Sequence, residues 1–190
     1  MEINIVDTAD RDLLPMWRQL TALNQDPMQI ATGPNGVERM IDEIIKKVKT
    51  PMSIDVLRIL SHGNSGMIVV TGGMSPEPNS IISQWNLPSL LPHLRRLTPY
   101  FKPNARVELL ACYVATHLDE KTEKWSIRQN SDGEKLILEL SKIWQVKILA
   151  SGRTERGLPI ASLKFVGLVV EANPRGGLSC VAAPEVSAVR

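Results

Sequence analysis

The chain has 190 residues, of which 43% are hydrophobic and 22% charged, and its formal net charge is +2. This length fits one domain that can bury a sizeable core, and the composition is ordinary for a globular protein. The small and scattered charge excess argues against nucleic acid or an anionic membrane as a partner, and no window approaches the roughly 18 apolar residues that a membrane-spanning helix needs.

Strand-like and helix-like segments alternate along the chain. Short branched apolar runs predict strands, and apolar residues at helical spacing predict helices. In chain order the predicted elements are a strand at 2–7, helices at 10–23 and 37–49, strands at 53–60 and 66–73, a helix at 87–101 capped by Asn86, a strand at 105–115 that includes Cys112, a helix at 131–144, and strands at 145–151 and 162–172. This alternation predicts an α/β fold with a mainly parallel sheet and helices on both faces.

The predicted elements form one domain over residues 1–172. Residues 173–190 are rich in Gly, Pro and Ala, which predicts an irregular tail. One long polar stretch, residues 116–133, interrupts the domain, and a loop of this length is typically functional or disordered. The opening segment MEINIVDTADRD lacks the basic-then-apolar layout of a secretory signal, so we expect a cytoplasmic protein.

Familiar cofactor and metal motifs are missing from the sequence. The two cysteines, Cys112 and Cys180, lie far apart, and no CxxC, HExxH or other ligand spacing is present. There is also no GxGxxG and no Walker loop. We therefore expect neither a metal nor a cofactor.

Two predicted central strands end in reactive residues. The run RILSHG ends in His62 and Gly63, and the run ELLACY ends in Cys112. Ligands of an open α/β sheet bind beyond the carboxyl ends of its strands, so parallel strands would bring both side chains to one edge. A neutral imidazole there can take the thiol proton, and the thiolate is a nucleophile. The amides of Gly63 and Cys112 are the candidate donors to a substrate oxyanion.

Each residue alone has a simpler interpretation. A cysteine on an apolar strand is usually a small buried hydrophobe, and a histidine before a glycine is usually part of a turn. The joint pattern is more informative, because two apolar runs end in His-Gly and in Ala-Cys with about 50 residues between them.

That joint pattern, ILSHGNSG followed by LLACYVA, resembles the caspase-like cysteine peptidases, and its wording is closest to bacterial caspase-like domains. The resemblance implies a three-layer sandwich and a His-Cys dyad without a mandatory third residue. By position, His62 would be the general base and acid, Cys112 the nucleophile, and the Gly63 and Cys112 amides the oxyanion donors. Caspases carry Gln two residues before the cysteine, whereas this chain carries Leu110, which puts the substrate preference in doubt.

The resemblance leaves two candidates for a specificity pocket. Family members place a charged pocket residue near the end of the first strand, where this chain has Asp7, and an acid there implies cleavage after Arg or Lys. The alternative is that Asp7 only caps the following helix. The rival pocket residue is Arg153, which would favour an acidic residue before the scissile bond.

Two functions therefore stay open. The first is a cysteine endopeptidase that acts on a protein or peptide substrate through an acyl-enzyme. If it cuts after basic residues, it has self-processing sites at Lys121, Lys124 and Arg128. The second is a non-catalytic caspase-like module that binds a regulatory or activating partner. A toxin-type domain activated by inositol phosphate is a third alternative, but it would need a dense basic patch.

Overall fold

A computed structural model of the chain describes residues 1–30, 32–73, 76–119, 124–126, 132–151, 165 and 169–181. For residues 117–119 and 124–126 it describes the backbone alone. The helices α1 to α4 span Leu14–Ala22, Gly36–Val48, Leu87–Arg95 and Asp132–Trp144. The strands β1 to β12 span Glu2–Val6, Met28–Gln29, Ile54–Leu60, Gly63–Asn64, Met67–Val69, Ile81–Ser83, Phe101–Leu110, His117–Asp119, Lys124–Ser126, Lys147–Ser151, Val169–Ala172 and Leu178–Val181.

A seven-stranded central sheet organises the molecule, in the order β12-β11-β10-β7-β3-β1-β2. The strands β2, β1, β3, β7 and β10 are each parallel to their neighbours. Strand β11 is antiparallel to β10, and β12 is antiparallel to β11. Its inner strands are apolar because parallel strands are buried on both faces. The predicted α/β fold with a mainly parallel sheet is confirmed.

Helices cover both faces of this sheet, as predicted. Alternate residues of β1, β3, β7 and β10 point to one face, where they pack with the buried residues of α2, α3 and α4. Helix α2 illustrates the reason, because Val37, Met40, Ile41 and Ile44 recur at helical spacing and are fully buried. The intervening strand residues Val6, Leu60, Leu110 and Leu149 pack on the opposite face with Met16 and Leu20 of α1.

Two small sheets lie outside the central one. Strand β3 leads through His62 into a three-stranded antiparallel sheet of β4, β5 and β6. Only Ser65 and Gly66 separate β4 from β5, and Gly66 has a φ of +64°, so the chain reverses in the tight turn that the HGNSG motif predicts. Strands β8 and β9 form a second, two-stranded sheet.

Four local predictions are wrong. The helix predicted at 87–101 ends at Arg95, and Phe101 already belongs to β7. Strand β7 ends at Leu110 rather than at residue 115, because Tyr113 takes a φ of +57° and residues 112–115 form a turn. The predicted polar loop at 116–133 contains the hairpin of β8 and β9. The predicted irregular tail contains Leu178–Val181, which pairs with β11 as the edge of the central sheet.

The longest helices in the described part of the chain have 13 residues. None of the helices described there combines the length and the apolar character that crossing a membrane requires.

Candidate functional site

The carboxyl ends of β1, β3 and β7 meet at one edge of the central sheet, which we call the rim. Strand β3 pairs with β7 in parallel, with Leu60 opposite Leu110. His62 and Cys112 therefore each follow the last paired residue of their strand by two positions. Strand β1 reaches the same edge, since Val6 pairs with Leu60 and the Asp7 amide donates to the Leu60 carbonyl at 3.0 Å. The parallel sheet thus brings the two reactive residues to neighbouring strand ends.

Gly63 packs directly against the turn that carries Cys112. A Cβ at Gly63 would lie 2.7 Å from Val114 Cγ2, 2.8 Å from Ala111 Cβ and 3.0 Å from the Cys112 carbonyl oxygen. These distances are shorter than van der Waals contact, so only glycine fits without a shift of its neighbours. The close approach keeps the backbone after His62 beside the backbone of Cys112.

The pairing of β4 and β5 also orients the Gly63 amide. The Val69 amide donates to the His62 carbonyl at 2.9 Å, and Gly63 is paired with Ile68. In an antiparallel ladder this makes Gly63 and Ile68 a non-hydrogen-bonded pair, so the Gly63 N–H points away from β5. That direction suits a donor to a substrate oxygen.

A carboxylate lies against the imidazole of the candidate base. His62 Nε2 contacts Asp10 Oδ2, and the two side chains are 31% and 8% exposed. The other carboxylate oxygen, Asp10 Oδ1, accepts the amide of Asp12 at 2.9 Å. The two atoms are in contact without hydrogen-bond geometry, and a carboxylate this close favours a proton on Nε2 over Nδ1 by charge alone.

The turn after Cys112 is held from three sides. The Ala115 amide donates to Ser151 of β10 at 3.1 Å, and the Gly66 amide donates to the Val114 carbonyl at 3.1 Å. Gly133, in the first turn of α4, lies so close that a Cβ there would be 2.5 Å from the Val114 oxygen. Cys112 itself is half-buried. The turn that carries Cys112 is therefore fixed by backbone hydrogen bonds and by close packing against α4.

Asp7 lies at the rim but does not face solvent. Its side chain is fully buried, and it accepts the amides of Ala9 at 3.1 Å, Gly72 at 3.2 Å and Gly73 at 2.8 Å. Asp7 does not cap the following helix either, because the N-cap of α1 is Leu13 and no side chain bonds to that end. Its role in substrate selection stays a prediction.

Several of the remaining predicted site residues lie outside the part of the chain that the structure describes. Arg153, Lys121 and Arg128 lie outside the residues that the structure describes, and Lys124 is described in its backbone only. Cys180 lies on the edge strand β12, with β11 and β10 between it and β7, so it is not part of the rim. Among the described residues no group of three His, Cys, Asp or Glu side chains is arranged to hold a metal ion.

Asp10 is the site residue that the sequence did not single out. Its only signal was its place in a run of acids, Asp7, Asp10 and Asp12, directly after the first strand. Such a run is typical of a helix cap, and only the path of the loop brings one of its members to His62.

The chain was also compared with known proteins. No family model, no curated protein and no solved structure matches it.

Proposed function

We propose that the protein is a cysteine peptidase in which His62 and Cys112 act as a catalytic dyad at the rim. The observation that carries the proposal is the parallel register of β3 and β7, which brings both residues to adjacent strand ends. The partial exposure of the Cys112 residue and of the His62 side chain also supports access for a substrate. A carboxylate behind the imidazole is the third supporting feature.

The reaction is an acyl transfer in two steps. His62 takes the thiol proton, and the Cys112 thiolate attacks the carbonyl carbon of the scissile peptide bond. The C–N bond then breaks as the imidazolium gives its proton to the leaving amine, which leaves a thioester on Cys112. Water attacks the thioester while His62 takes its proton. The carboxylic acid is released and the thiol is restored.

The surrounding groups assist this reaction without taking part in bond changes. Asp10 holds the imidazole with Nε2 protonated, so Nδ1 is the atom that exchanges the proton. The amides of Gly63 and Cys112 donate to the oxyanion of the tetrahedral intermediate, and a donor of this kind contributes about 10²- to 10³-fold in rate. Cleavage after a basic residue and self-processing are further parts of the proposal, and the first needs a pocket residue other than Asp7 if that carboxylate stays bound to backbone amides. A panel of peptides that end in Arg, Lys or Asp decides the first of these.

Labelling of the thiol tests the proposal most cleanly. Cys180→Ala removes the exposed second thiol and leaves Cys112 as the only cysteine. In this background we expect rapid labelling by a peptidyl chloromethyl ketone, and slow labelling when His62→Ala is added. His93→Ala is the matched control, because that histidine lies on α3 beside Glu38 and away from the rim.

The same experiment separates the enzyme from a binding module. A fluorogenic peptide panel, with Cys112→Ala as the blank, should show hydrolysis that depends on both His62 and Cys112. Labelling that is equally fast with and without His62, together with no hydrolysis in any peptide, would identify Cys112 as a bystander and favour the non-catalytic module.

A further inference from the structure

We infer that Asp7 is a positioning residue that holds Asp10 against His62, and that it is not the residue that selects the substrate. The catalytic part of this inference, that Asp7 supports the reaction through Asp10 and His62, rests on the proposed function. Its structural part, the dependence of the His62 ring on Asp7, can be measured without any enzymatic activity.

The two partners of the pair come from separate loops. Asp10 lies on the loop that follows β1, and His62 lies on the loop between β3 and β4. A contact between loop side chains is only as well defined as the placement of the two loops relative to each other. Some third group must therefore fix that placement if the imidazole is to be held in one orientation.

The carboxylate of Asp7 joins the Asp10 loop to the segment that follows β5. On one side it accepts the amide of Ala9, the residue before Asp10. On the other side it accepts the amides of Gly72 and Gly73. The backbone adds to the same junction, because the Asp10 amide donates to the Asp7 carbonyl at 3.3 Å.

The Gly72–Gly73 segment is itself tied to the His62 loop. It follows β5, whose last residue, Val69, donates its amide to the His62 carbonyl. Gly73, with a φ of +59°, also packs on the Asp10 loop, since a Cβ there would lie 3.2 Å from the Ala9 oxygen and 3.4 Å from the Asp10 nitrogen. A continuous set of contacts thus runs from His62 through β5 to Asp7, and from Asp7 to Asp10.

These contacts also argue against Asp7 as a pocket residue. A carboxylate that selects a substrate arginine typically binds its guanidinium through both oxygens, in a bidentate pair. Both oxygens of Asp7 are already occupied by backbone amides, and the side chain has no exposed surface. Binding a substrate there would require three hydrogen bonds to break.

The test uses Asp7→Asn, Asp10→Ala and the double variant, each in the Cys180→Ala background. Asn keeps the size of Asp but turns an NH₂ group toward backbone N–H donors, which loosens the junction. Glu77→Gln is the matched control, because it removes an exposed acid from the chain just after Gly72–Gly73. Gly73→Ala reaches the same junction without changing Asp7 and decides the question if Asp7→Asn fails to fold.

The first readout is the tautomer of the neutral His62 ring, from its ¹⁵N chemical shifts at fixed pH. We expect mainly the Nε2–H form in the parent protein, a shift away from it in Asp10→Ala, and a shift in the same direction in Asp7→Asn and Gly73→Ala. The double variant should resemble Asp10→Ala alone, because both changes act on one contact. Unchanged His62 signals in correctly folded Asp7→Asn and Gly73→Ala would overturn the inference.

The second readout is the ratio of hydrolysis rates for Arg and Asp peptides. If Asp7 only positions Asp10, then Asp7→Asn lowers kcat for both peptides by the same factor, about 10-fold or more, and leaves their ratio unchanged. A change of the ratio would overturn the inference in favour of the pocket. If no peptide is hydrolysed by the parent protein, the proposed function fails, and the tautomer measurement still decides the role of Asp7.

Discussion

The rim and the middle of the central sheet are built from the same three strands, but they differ in how far their polar side chains are buried. In the middle, Asn4, Arg58 and Glu108 lie opposite one another on β1, β3 and β7. All three are almost completely buried, and Arg58 Nε donates to Glu108 Oε2 at 2.7 Å while its Nη1 donates to Glu2 at 2.6 Å. At the rim, the contact between His62 and Asp10 leaves one partner 31% exposed.

The difference shows which charges hold the sheet together and which are available for chemistry. Burial, the largest influence, lowers the pKa of Arg58, but the hydrogen bonds and charges of Glu2 and Glu108 outweigh it, and the pKa of Arg58 is raised above its ordinary value. Arg58 is therefore permanently charged and cannot exchange a proton. The proton exchange that the proposed function requires is therefore assigned to the imidazole of His62 at the rim.

The largest predicted effect breaks the pair in the middle of the sheet. Glu108→Leu leaves the buried Arg58 without its buried carboxylate partner, and removal of one member of a buried ion pair costs about 3–5 kcal/mol. Urea unfolding should show this loss. The double variant Arg58→Met with Glu108→Leu should recover most of the stability and keep the His62-dependent labelling of Cys112. A double variant that is stable but no longer labels in this way would mean that the middle of the sheet also serves the chemistry.

The second effect concerns the carboxylate at the rim. Asp10→Ala should lower kcat by about 10²-fold, the lower end of what a positioned general base contributes, because the imidazole loses its fixed orientation. Stability should also fall, by about 1 kcal/mol, because the side chain is only 8% exposed and accepts the Asp12 amide, so urea unfolding of the variant accompanies the kinetics. Steady-state kinetics with the best peptide of the panel measures this. An unchanged kcat would remove Asp10 from the site.

The third effect concerns the close contact between the two strand ends. Gly63→Ala forces a Cβ to within 3.0 Å of Val114, Ala111 and the Cys112 oxygen, and overpacking of this kind costs about 1–3 kcal/mol. Thermal unfolding and Cys112 labelling should both respond, because the added methyl group pushes the His62 and Cys112 segments apart. A loss of stability in Gly63→Ala without any change of labelling would show that the spacing of the strand ends is not critical.

The sequence predicted the elements that depend on periodicity. Strands β1, β3, β7 and β10 and the four helices follow from apolar spacing, and the rim follows from where two of those strands stop. Strand β2, with two residues, has no periodic pattern and was not predicted. Strand β12 was missed because LSCV is a short segment between Gly-rich and Pro-rich stretches, and its half-exposed residues carry no strong pattern. Its pairing with β11 is a tertiary contact that no local rule contains.

The candidate site was predictable only in part, for a related reason. His62 and Cys112 are placed by the sheet, whose register is set by backbone hydrogen bonds and burial. Asp10 and Asp7 are placed by loops, whose paths depend on individual contacts such as those of the Gly72 and Gly73 amides. The acids Asp7, Asp10 and Asp12 cannot be told apart from the sequence. In the structure Asp10 contacts the imidazole, whereas Asp7 is buried and accepts backbone amides.

The smallest predicted effect is on the exposed side of the molecule. The hydrogen bond from Lys102, followed by that from the terminal amine of Met1, lowers the pKa of Asp55 below its ordinary value of 3.8. Its side chain is 47% exposed, so the pair stabilises the fold by at most about 0.5 kcal/mol. Since the folded-state pKa is lowered, this contribution is present at neutral pH and fades as the pH falls through that pKa. Urea unfolding of Asp55→Asn should show a small deficit at pH 7 that shrinks in acid, and a deficit that grows in acid would contradict the assignment.

The most direct measurement of the central claim is the rate at which Cys112 is alkylated in the Cys180→Ala protein, with and without His62. If the imidazole and the thiol act together at the rim, His62→Ala should slow the reaction at pH 7 by about 10²-fold or more, while His93→Ala leaves the rate unchanged. Equal rates in all three proteins would contradict the dyad, and with it the proposal that this protein is a cysteine peptidase.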